Sequence, residues 1–426
     1  MISRLWLTLT HFFDYKPDIS VKFPGTGTSQ PSPGHVVVIH RSYRVRGGED
    51  TFLFDVLIPQ LMAVNVSFEI VGLPALFSRP QYRFLDFLEV LFMTLGLEKL
   101  RPSYLEVTAR SKRQKPTHVI FNNVLPTVSL GLPAYFRKNK IKTFLWIHNS
   151  RLQCANGLNF NNKTECHRCV TKGSRWALVQ KCLPTFKQSL LYAWIYRGRR
   201  VIQKIFPFID TFIAVSEYSA KNLEKATTTL GLPPPSTVVI RTTLPFSPLP
   251  SNDRGTAAGV QVVVEGAKKI PKPFYAYIGR LSFEKGADRL VELAKRFQDK
   301  GFLVCGDGPL FEKIKSQAPK NLVLTGYVGQ EAKEWVFQEA TAVLIPSRVP
   351  ETSSLVITES QKFGTPIVYP AGGGAEETFR IQNRSGCSLE EFQGQTFKKT
   401  APVWEEEDSS FTNNLKAALH LEENPS

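Results

Sequence analysis

Ile345-Pro-Ser-Arg-Val-Pro-Glu-Thr-Ser-Ser-Leu-Val-Ile-Thr-Glu-Ser360 carries two glutamates, Glu351 and Glu359, eight positions apart. Upstream, Thr341–Pro346 reads as a short buried strand. Glu359 lies in a helix-like run. Downstream, Pro366–Val368 is a further apolar run that leads to Gly372-Gly373-Gly374. Strand, turn, helix, strand and Gly-rich turn is how an open α/β sheet builds a crevice at its strand ends. A helix N-terminus in such a crevice offers unpaired N–H groups to an anion, typically a phosphate. One Glu before that helix and one inside it would flank the anion. Without that setting, the same spacing is two solvated glutamates on a surface helix.

Working outward, the same rhythm fills the second half of the chain. Strand candidates are Phe274–Ile278, Phe302–Cys305, Leu322–Leu324, Ala342–Ile345 and Ile367–Tyr369, each closed by Gly, Pro or Ser. Gly279-Arg280-Leu-Ser-Phe-Glu284-Lys285-Gly286 follows the first of them and precedes a helical pattern over Ala287–Phe297. An Arg and a Lys five residues apart on such a loop can both reach a diphosphate, Arg by its planar fork and Lys as a point charge. By itself the loop is also a solvated turn whose Gly286 caps the helix entry. Val304-Cys-Gly-Asp-Gly308-Pro309 is another strand-end turn that could line the same crevice.

The first half repeats the pattern. His35-Val-Val-Val-Ile-His40 is an apolar run of the kind found in buried parallel strands. A Gly47-Gly48-Glu49-Asp50 loop and a helical pattern (Phe52, Phe54, Leu57, Leu61) follow it. Further strands are expected at Val66–Val71, Thr117–Phe121, Thr143–Ile147, Asp210–Val215 and Thr237–Ile240. Pro245–Pro273 interrupts with five prolines and reads as the connection between two lobes, with Val260–Val264 as a candidate strand inside it. The division is therefore a 1–34 extension, a 35–245 lobe with a cysteine-bearing insertion at 150–185, a 246–272 linker and a 273–426 lobe. At 426 residues the chain exceeds one ordinary core, which agrees.

Charge separates the lobes. Residues 1–250 hold 32 Lys+Arg against 14 Asp+Glu, whereas 251–426 hold 21 against 23, so the net +16 belongs to the first half. That asymmetry points to an anionic partner for the N-terminal lobe: a phospholipid surface, a phosphorylated lipid carrier, an acidic glycan or nucleic acid. Tyr192-Ala-Trp-Ile-Tyr-Arg-Gly-Arg-Arg200 mixes aromatics with arginines, which suits a membrane interface as well as a basic solvated helix. No apolar run reaches the ~20 residues of a membrane span. The apolar N-terminus lacks a small-residue cleavage site, so no signal peptide is expected. Cys154-x11-Cys166-x2-Cys169-x12-Cys182 is compatible with a structural zinc knuckle, with reduced thiols and with a loop disulfide.

Several of these segments, in order, resemble one known family. Tyr277-Ile-Gly-Arg-Leu-Ser-Phe-Glu-Lys-Gly286, Cys305-Gly-Asp-Gly-Pro309, Leu324-Thr-Gly-Tyr-Val328, Ile345–Thr352, Glu359, Phe363-Gly-Thr-Pro-Ile-Val368 and Gly373-Gly-Ala-Glu-Glu377 look like the C-terminal half of family 4 retaining glycosyltransferases of the GT-B fold. The Gly-Gly-Glu loop, Trp146-Ile-His148-Asn149 and Ile213-Ala-Val-Ser-Glu217-Tyr-Ser resemble its N-terminal half. The cysteine segment is similar to an insertion in some bacterial members that act on surface polysaccharides.

The resemblance implies α/β architecture with two Rossmann-like lobes facing across a cleft. It implies a nucleotide-sugar on the C-terminal lobe and a glycan or lipid-linked acceptor on the other. Arg280 and Lys285 would hold the diphosphate, Glu351 the sugar hydroxyls and Glu359 the ribose. Backbone N–H groups of Ser354 and Leu355 would touch phosphate, Gly47 and Gly48 would let the opposite backbone approach, and His148 would sit by the reacting sugar. No metal or other cofactor is implied, and no nucleic acid. The location implied is the cytoplasm, with peripheral contact at the membrane through the basic lobe. The alternative is a catalytically weak nucleotide- or carbohydrate-binding descendant of the fold. The chain departs from the family at Ser353-Ser354, where Gly is usual, at Arg241-Thr-Thr in place of an Asn, and at Glu359-Ser-Gln-Lys362. Its short acidic end after residue 390 suggests that the final helices crossing back onto the first lobe are truncated.

Overall fold

The computed structural model describes residues 22–23, 34–42, 48–73, 83–125, 128–161, 164–183, 185–196, 200–241, 257–381, 386–389, 391–393, 395, 414–415 and 417–419. Gly47, Arg197, Arg199, the 242–256 stretch and Glu405–Asp408 lie outside them.

Thirteen short strands form two sheets among these residues. The N-terminal lobe contains β1 (Lys22–Phe23), β2 (His35–Arg41), β3 (Ser67–Leu73), β4 (His118–Asn122), β5 (Lys142–Ile147), β6 (Thr211–Ala214) and β7 (Thr237–Val239). Their order is β1-β3-β2-β4-β5-β6-β7. All pairs are parallel except β1, which joins the edge antiparallel to β3 and so brings part of the expected extension into the sheet. The C-terminal lobe contains β8 (Phe274–Ile278), β9 (Gly301–Cys305), β10 (Leu322–Gly326), β11 (Ala342–Leu344), β12 (Ile367–Tyr369) and β13 (Gly386–Ser388). They pair in parallel in the order β10-β9-β8-β11-β12-β13.

Both faces of each sheet are covered, which is why the strands read as continuous apolar runs rather than alternating ones. Alternate residues still part company. Val37 and Ile39 enter one N-terminal core while Val36 and Val38 enter the other. Tyr275 and Tyr277 likewise oppose Phe274 and Ala276 across the second sheet.

The strand order reverses between β2 and β4 in the first sheet and between β8 and β11 in the second. Such switch points leave a crevice outside the strand C-termini, because the connecting helices depart to opposite faces. The residues just past β2, β4, β8 and β11 are therefore the ones the fold presents.

Two boundaries differ from expectation. Val260–Val264 belongs to a helix, Ala257–Lys268, and not to a strand. Val263 and Ala267 sit in the C-terminal core, so that lobe begins within the stretch read as linker. Valine's strand preference yields here to a buried stripe at helical spacing. At the other end, Asn414, Leu415 and residues 417–419 are helical, and Leu415, Ala418 and Leu419 are buried in the N-terminal core with Val36, Val38 and Trp146. The i, i+3, i+4 apolar stripe does cross back to the first lobe, so the expected truncation is wrong.

Candidate active site

On the C-terminal side, the loop after β8 folds onto the turn after β11. Gly286 has φ +66°, and a Cβ there would lie 1.8 Å from the Pro346 carbonyl oxygen. Only glycine permits that approach. Arg348 fastens the two segments together. Its guanidinium forks onto the Asp288 carboxylate at 2.5 and 2.8 Å, its N–H donates to the Glu284 carbonyl at 2.9 Å, and it lies over the Phe283 ring at 4.2 Å.

That clamp brings Lys285 Nζ to 3.0 Å from Glu351 Oε1. Glu351 is buried and also accepts the Ser347 hydroxyl. Arg280 is exposed, and its guanidinium makes no ion pair or hydrogen bond among the described residues; its carbonyl accepts the Tyr277 hydroxyl at 2.6 Å and the Ser282 N–H at 3.0 Å. One cation is thus paired and its neighbour is open to an anion.

Glu359 is also buried, and Lys333 from the Gln330–Glu339 helix contacts it at 2.5 Å. The two glutamates therefore each hold a lysine. Lys333 carried no motif and was not anticipated. Ser354 precedes the Leu355–Gln361 helix and is buried. Across the crevice stands Gly48, the first residue of the Gly48–Phe52 helix; a Cβ on it would meet Leu355 Cδ1 at 4.0 Å. The starts of two helices from opposite lobes thus face each other, and their free N–H groups favour negative charge. Gly374 closes the site from below. Its N–H donates to the Glu351 carbonyl at 2.6 Å, and a Cβ at that position would fall 1.9 Å from Thr352 O.

On the N-terminal side, His148 follows β5 and ends a chain of hydrogen bonds. His148 Nε2–H donates to Asn122 Oδ1 (2.6 Å), Asn122 Nδ2–H donates to His40 Nδ1 (3.0 Å), and His40 Nε2–H donates to Asp50 Oδ1 (2.8 Å). With His40 Nδ1 as acceptor this direction connects all four side chains, although Nδ1 also lies 3.2 Å from the Asn122 carbonyl; it leaves His148 Nδ1 as an acceptor. Phe52 packs edge-on against the His148 ring and Trp146 stacks beyond it. Burial, and then the neighbouring His40, push the imidazole pKa down to about 3, so His148 is neutral. A small depression open to solvent lies beside it, lined by Asn123, Trp146, Asn149 and Arg151 among others. His40, Asp50 and Asn122 were not singled out in the sequence, although His40 is the penultimate residue of β2 and Asn122 the last of β4, at the switch point.

The lobes are tied across this crevice. Thr352 Oγ1 donates to the His148 carbonyl, and Ser216 Oγ donates to the Thr352 carbonyl (2.6 Å). Glu377 reaches from the C-terminal lobe to accept the backbone N–H groups of Glu217 (2.9 Å) and Tyr218 (3.0 Å) at the start of the Glu217–Thr229 helix. Arg241, where the family has Asn, pairs with the same carboxylate at 3.1 Å.

Cys154, Cys166, Cys169 and Cys182 are free thiols. Cys154 is buried, donates to Asn156 Oδ1 at 2.9 Å, and is made more acidic chiefly by a hydrogen bond with Cys169. Cys169 is raised in return. The fold brings the four together, Cys169 and Cys182 each acting on the acidity of a neighbour, while among the described residues no group of three or more His, Cys, Asp or Glu side chains has the arrangement of a metal site.

Comparison with known proteins bears on the fold. Residues 264–414 match the family model for glycosyl transferases group 1. Across 81% of this chain and 82% of the other, the structure resembles Anabaena HepE in complex with UDP-glucose, with a TM-score of 0.50 at 14% identity. The fold is GT-B. A glycogen synthase of Thermus caldophilus is 30% identical over 158 residues, 35% of this chain and 35% of that protein. The O-antigen chain mannosyltransferase C of Escherichia coli is 24% identical over 225 residues, 51% of this chain and 58% of that protein. The chain thus spans about a third of the first relative's length and just over half of the second's. In GT-B terms, the matched segment is the lobe that holds Arg280, Lys285, Glu351 and Glu359.

Proposed function

We propose that this chain is a retaining glycosyltransferase of the family 4 type, which moves a sugar from a nucleotide-sugar to a glycan or lipid-linked acceptor. The observation that carries this reading is the constellation at the two switch points: open Arg280 beside the Lys285–Glu351 pair, with neutral His148 opposite.

In this reading Arg280 and the released Lys285 hold the diphosphate, aided by the N–H groups of Ser354 and Leu355 and by the Gly48 helix start. Diphosphate would take Lys285 from Glu351, freeing that carboxylate to accept hydroxyls of the donor sugar. Glu359 would give its lysine up, or share it, when ribose hydroxyls arrive. His148 Nδ1 would accept a hydroxyl of the reacting sugar, held in place by the Asn122–His40–Asp50 chain. The acceptor hydroxyl then bonds to the anomeric carbon on the face the nucleotide leaves. The bond to the diphosphate oxygen breaks, and the hydroxyl proton passes to the departing phosphate. Fixed cations and helix termini stabilise the charge that develops there, the term that usually dominates such steps. The reading assigns no metal to the reaction and includes peripheral contact with a membrane.

A thermal-shift screen against UDP-, GDP-, ADP- and dTDP-sugars tests donor binding; a donor at 100 times its Kd adds about 2.7 kcal/mol. Turnover of the donor that binds, unchanged by EDTA and lost in Glu351→Ala and Lys285→Ala, supports the assignment. Full turnover in both variants removes it. Binding without turnover under any acceptor tested favours the non-catalytic descendant.

A further inference from the structure

We propose that Cys154 and Cys169, in the insertion after β5, are a redox-active pair that closes reversibly into a disulfide when hydrogen peroxide reaches it. The two thiols are hydrogen-bonded to each other. They meet because the insertion doubles back on itself. The Ser150 N–H donates to the Gly157 carbonyl (2.9 Å), the Cys154 N–H to the Ser150 carbonyl (2.8 Å) and the Cys166 N–H to the Asn159 carbonyl (2.7 Å). Phe160 and Glu165 bridge antiparallel, which returns the Arg168–Thr171 helix, with Cys169, to the turn that carries Cys154.

The two sulfurs have unequal surroundings, as a nucleophile and its partner require. The Cys169 thiol donates to Cys154 Sγ, and backbone N–H groups of Asn156, Asn159 and Gly157 add to it, so Cys154 is held below the ordinary thiol range against its burial. Loss of the Cys154 proton leaves Asn156 Oδ1 paired, because that atom also accepts the Leu158 N–H at 3.0 Å. Cys169, the donor, is kept protonated by that bond first and by burial second. It is only half-buried, so solvent approaches the pair from its side. Cys182 stands nearby, but burial and the charges of Cys154 and Cys166 push its thiol up to about 11. Cys305 is a control within the same chain, buried in the C-terminal core with its thiol pushed up to about 12.

The chemistry balances with peroxide as the oxidant. Cys154 thiolate attacks one peroxide oxygen, the O–O bond breaks, and the other oxygen leaves as water after taking a proton from solvent. Cys169 Sγ then attacks the sulfenic sulfur of Cys154. The S–S bond forms, the S–O bond breaks, and the hydroxyl departs with the Cys169 proton as water. Two thiols are oxidised and one peroxide is reduced; a dithiol reverses the step by exchange. The site lies where such a bond has something to hold. Arg151 N–H donates to Asn149 Oδ1 (2.9 Å), next to His148, and Glu165 accepts the Tyr218 hydroxyl (3.3 Å) beside the N–H that Glu377 holds from the other lobe. The bridge would fasten the loop that carries His148 to the segment that meets the interlobe tie. Only that consequence rests on the proposed function.

The test is peroxide treatment of the reduced full chain at near-stoichiometric ratio, then alkylation, digestion and mass spectrometry. The Cys154–Cys169 bridge should exceed any other cysteine pair at least ~10-fold, with the intact chain lighter by two hydrogens and restored by dithiothreitol. Cys305 should stay reduced. Cys169→Ser should stop at a sulfenic acid on Cys154 that dimedone traps, Cys154→Ser should give neither trap nor bridge, and Cys182→Ser should still form it. The mapping on the unaltered chain stands even where a variant fails to fold. Four unreactive thiols, a bridge between other cysteines, oxidation to sulfinic acid with no bridge, or an equivalent of tightly bound zinc that shields the thiols would each overturn the proposal. A failed nucleotide-sugar screen with the bridge intact would instead count against the proposed function.

Discussion

The two sides of the crevice are built from different interactions. The C-terminal side is ionic: Lys285–Glu351 and the Arg348–Asp288 fork join the regions after β8 and β11, and Lys333 reaches Glu359 from the Gln330–Glu339 helix. The N-terminal side is a hydrogen-bonded relay, His148–Asn122–His40, which ends on Asp50. Ion pairs at a crevice mouth can exchange a carboxylate for a phosphate at little cost, since each cation keeps an anionic partner. A buried relay cannot exchange; it holds one imidazole in one tautomer. The ionic side is suited to taking and releasing a charged ligand, the relay side to fixing a geometry.

The largest break in this comparison is expected from Glu351→Ala, which should lower kcat by ~10²–10³ while the melting temperature changes little. Steady-state turnover of the donor identified by thermal shift measures it. Gly374→Ala comes next. Its Cβ cannot coexist with Thr352 O, so the turn that presents Glu351 must move, at a cost of ~1–3 kcal/mol read by denaturant unfolding. Asn122→Ala should cost ~1–2 kcal/mol by leaving the relay's buried groups unpaired.

The relay also sets a pH dependence. His148 has a folded pKa near 3 against 6.5 when free. The unfolded chain therefore binds the proton first, and the stability His148 contributes is complete above pH 6.5 and is lost as pH falls towards 3. Urea unfolding from pH 7 to 5 should show a decline that is shallower in His148→Gln. The smallest effect is expected at the tie between the sides. Glu377→Gln keeps an acceptor for the Glu217 and Tyr218 N–H groups but loses the pairing with Arg241, for ~0.5–1 kcal/mol. Small-angle scattering should then report a wider distribution of lobe separations.

Much of the ionic side was readable because its members are local. Arg280 and Lys285 lie on one loop, Glu351 and Glu359 are separated by eight positions, and glycines mark every corner. Lys333 escaped because a lysine on a helix is ordinary until a buried carboxylate is found beside it. The relay escaped for a stronger reason. His40 and Asn122 are 82 residues apart and Asn122 and His148 are 26 apart, so only the β2-β4-β5 register makes them neighbours. The C-terminal helix was misjudged because its three apolar residues say that something is buried, not in which lobe.

What the sequence determined by itself is the α/β rhythm, the two lobes, the glycine corners and the cations and carboxylates of one half-site. Each of these is written in neighbouring residues, through side-chain periodicity and backbone sterics. The tertiary structure alone decided which residues meet across the crevice and which helix faces point outward. Those depend on strand order and on the docking of one lobe against the other. Phe84 and Phe87 would read as core in any apolar run; the burial of Asp86, and of Glu89 against Arg101, leaves them on the surface.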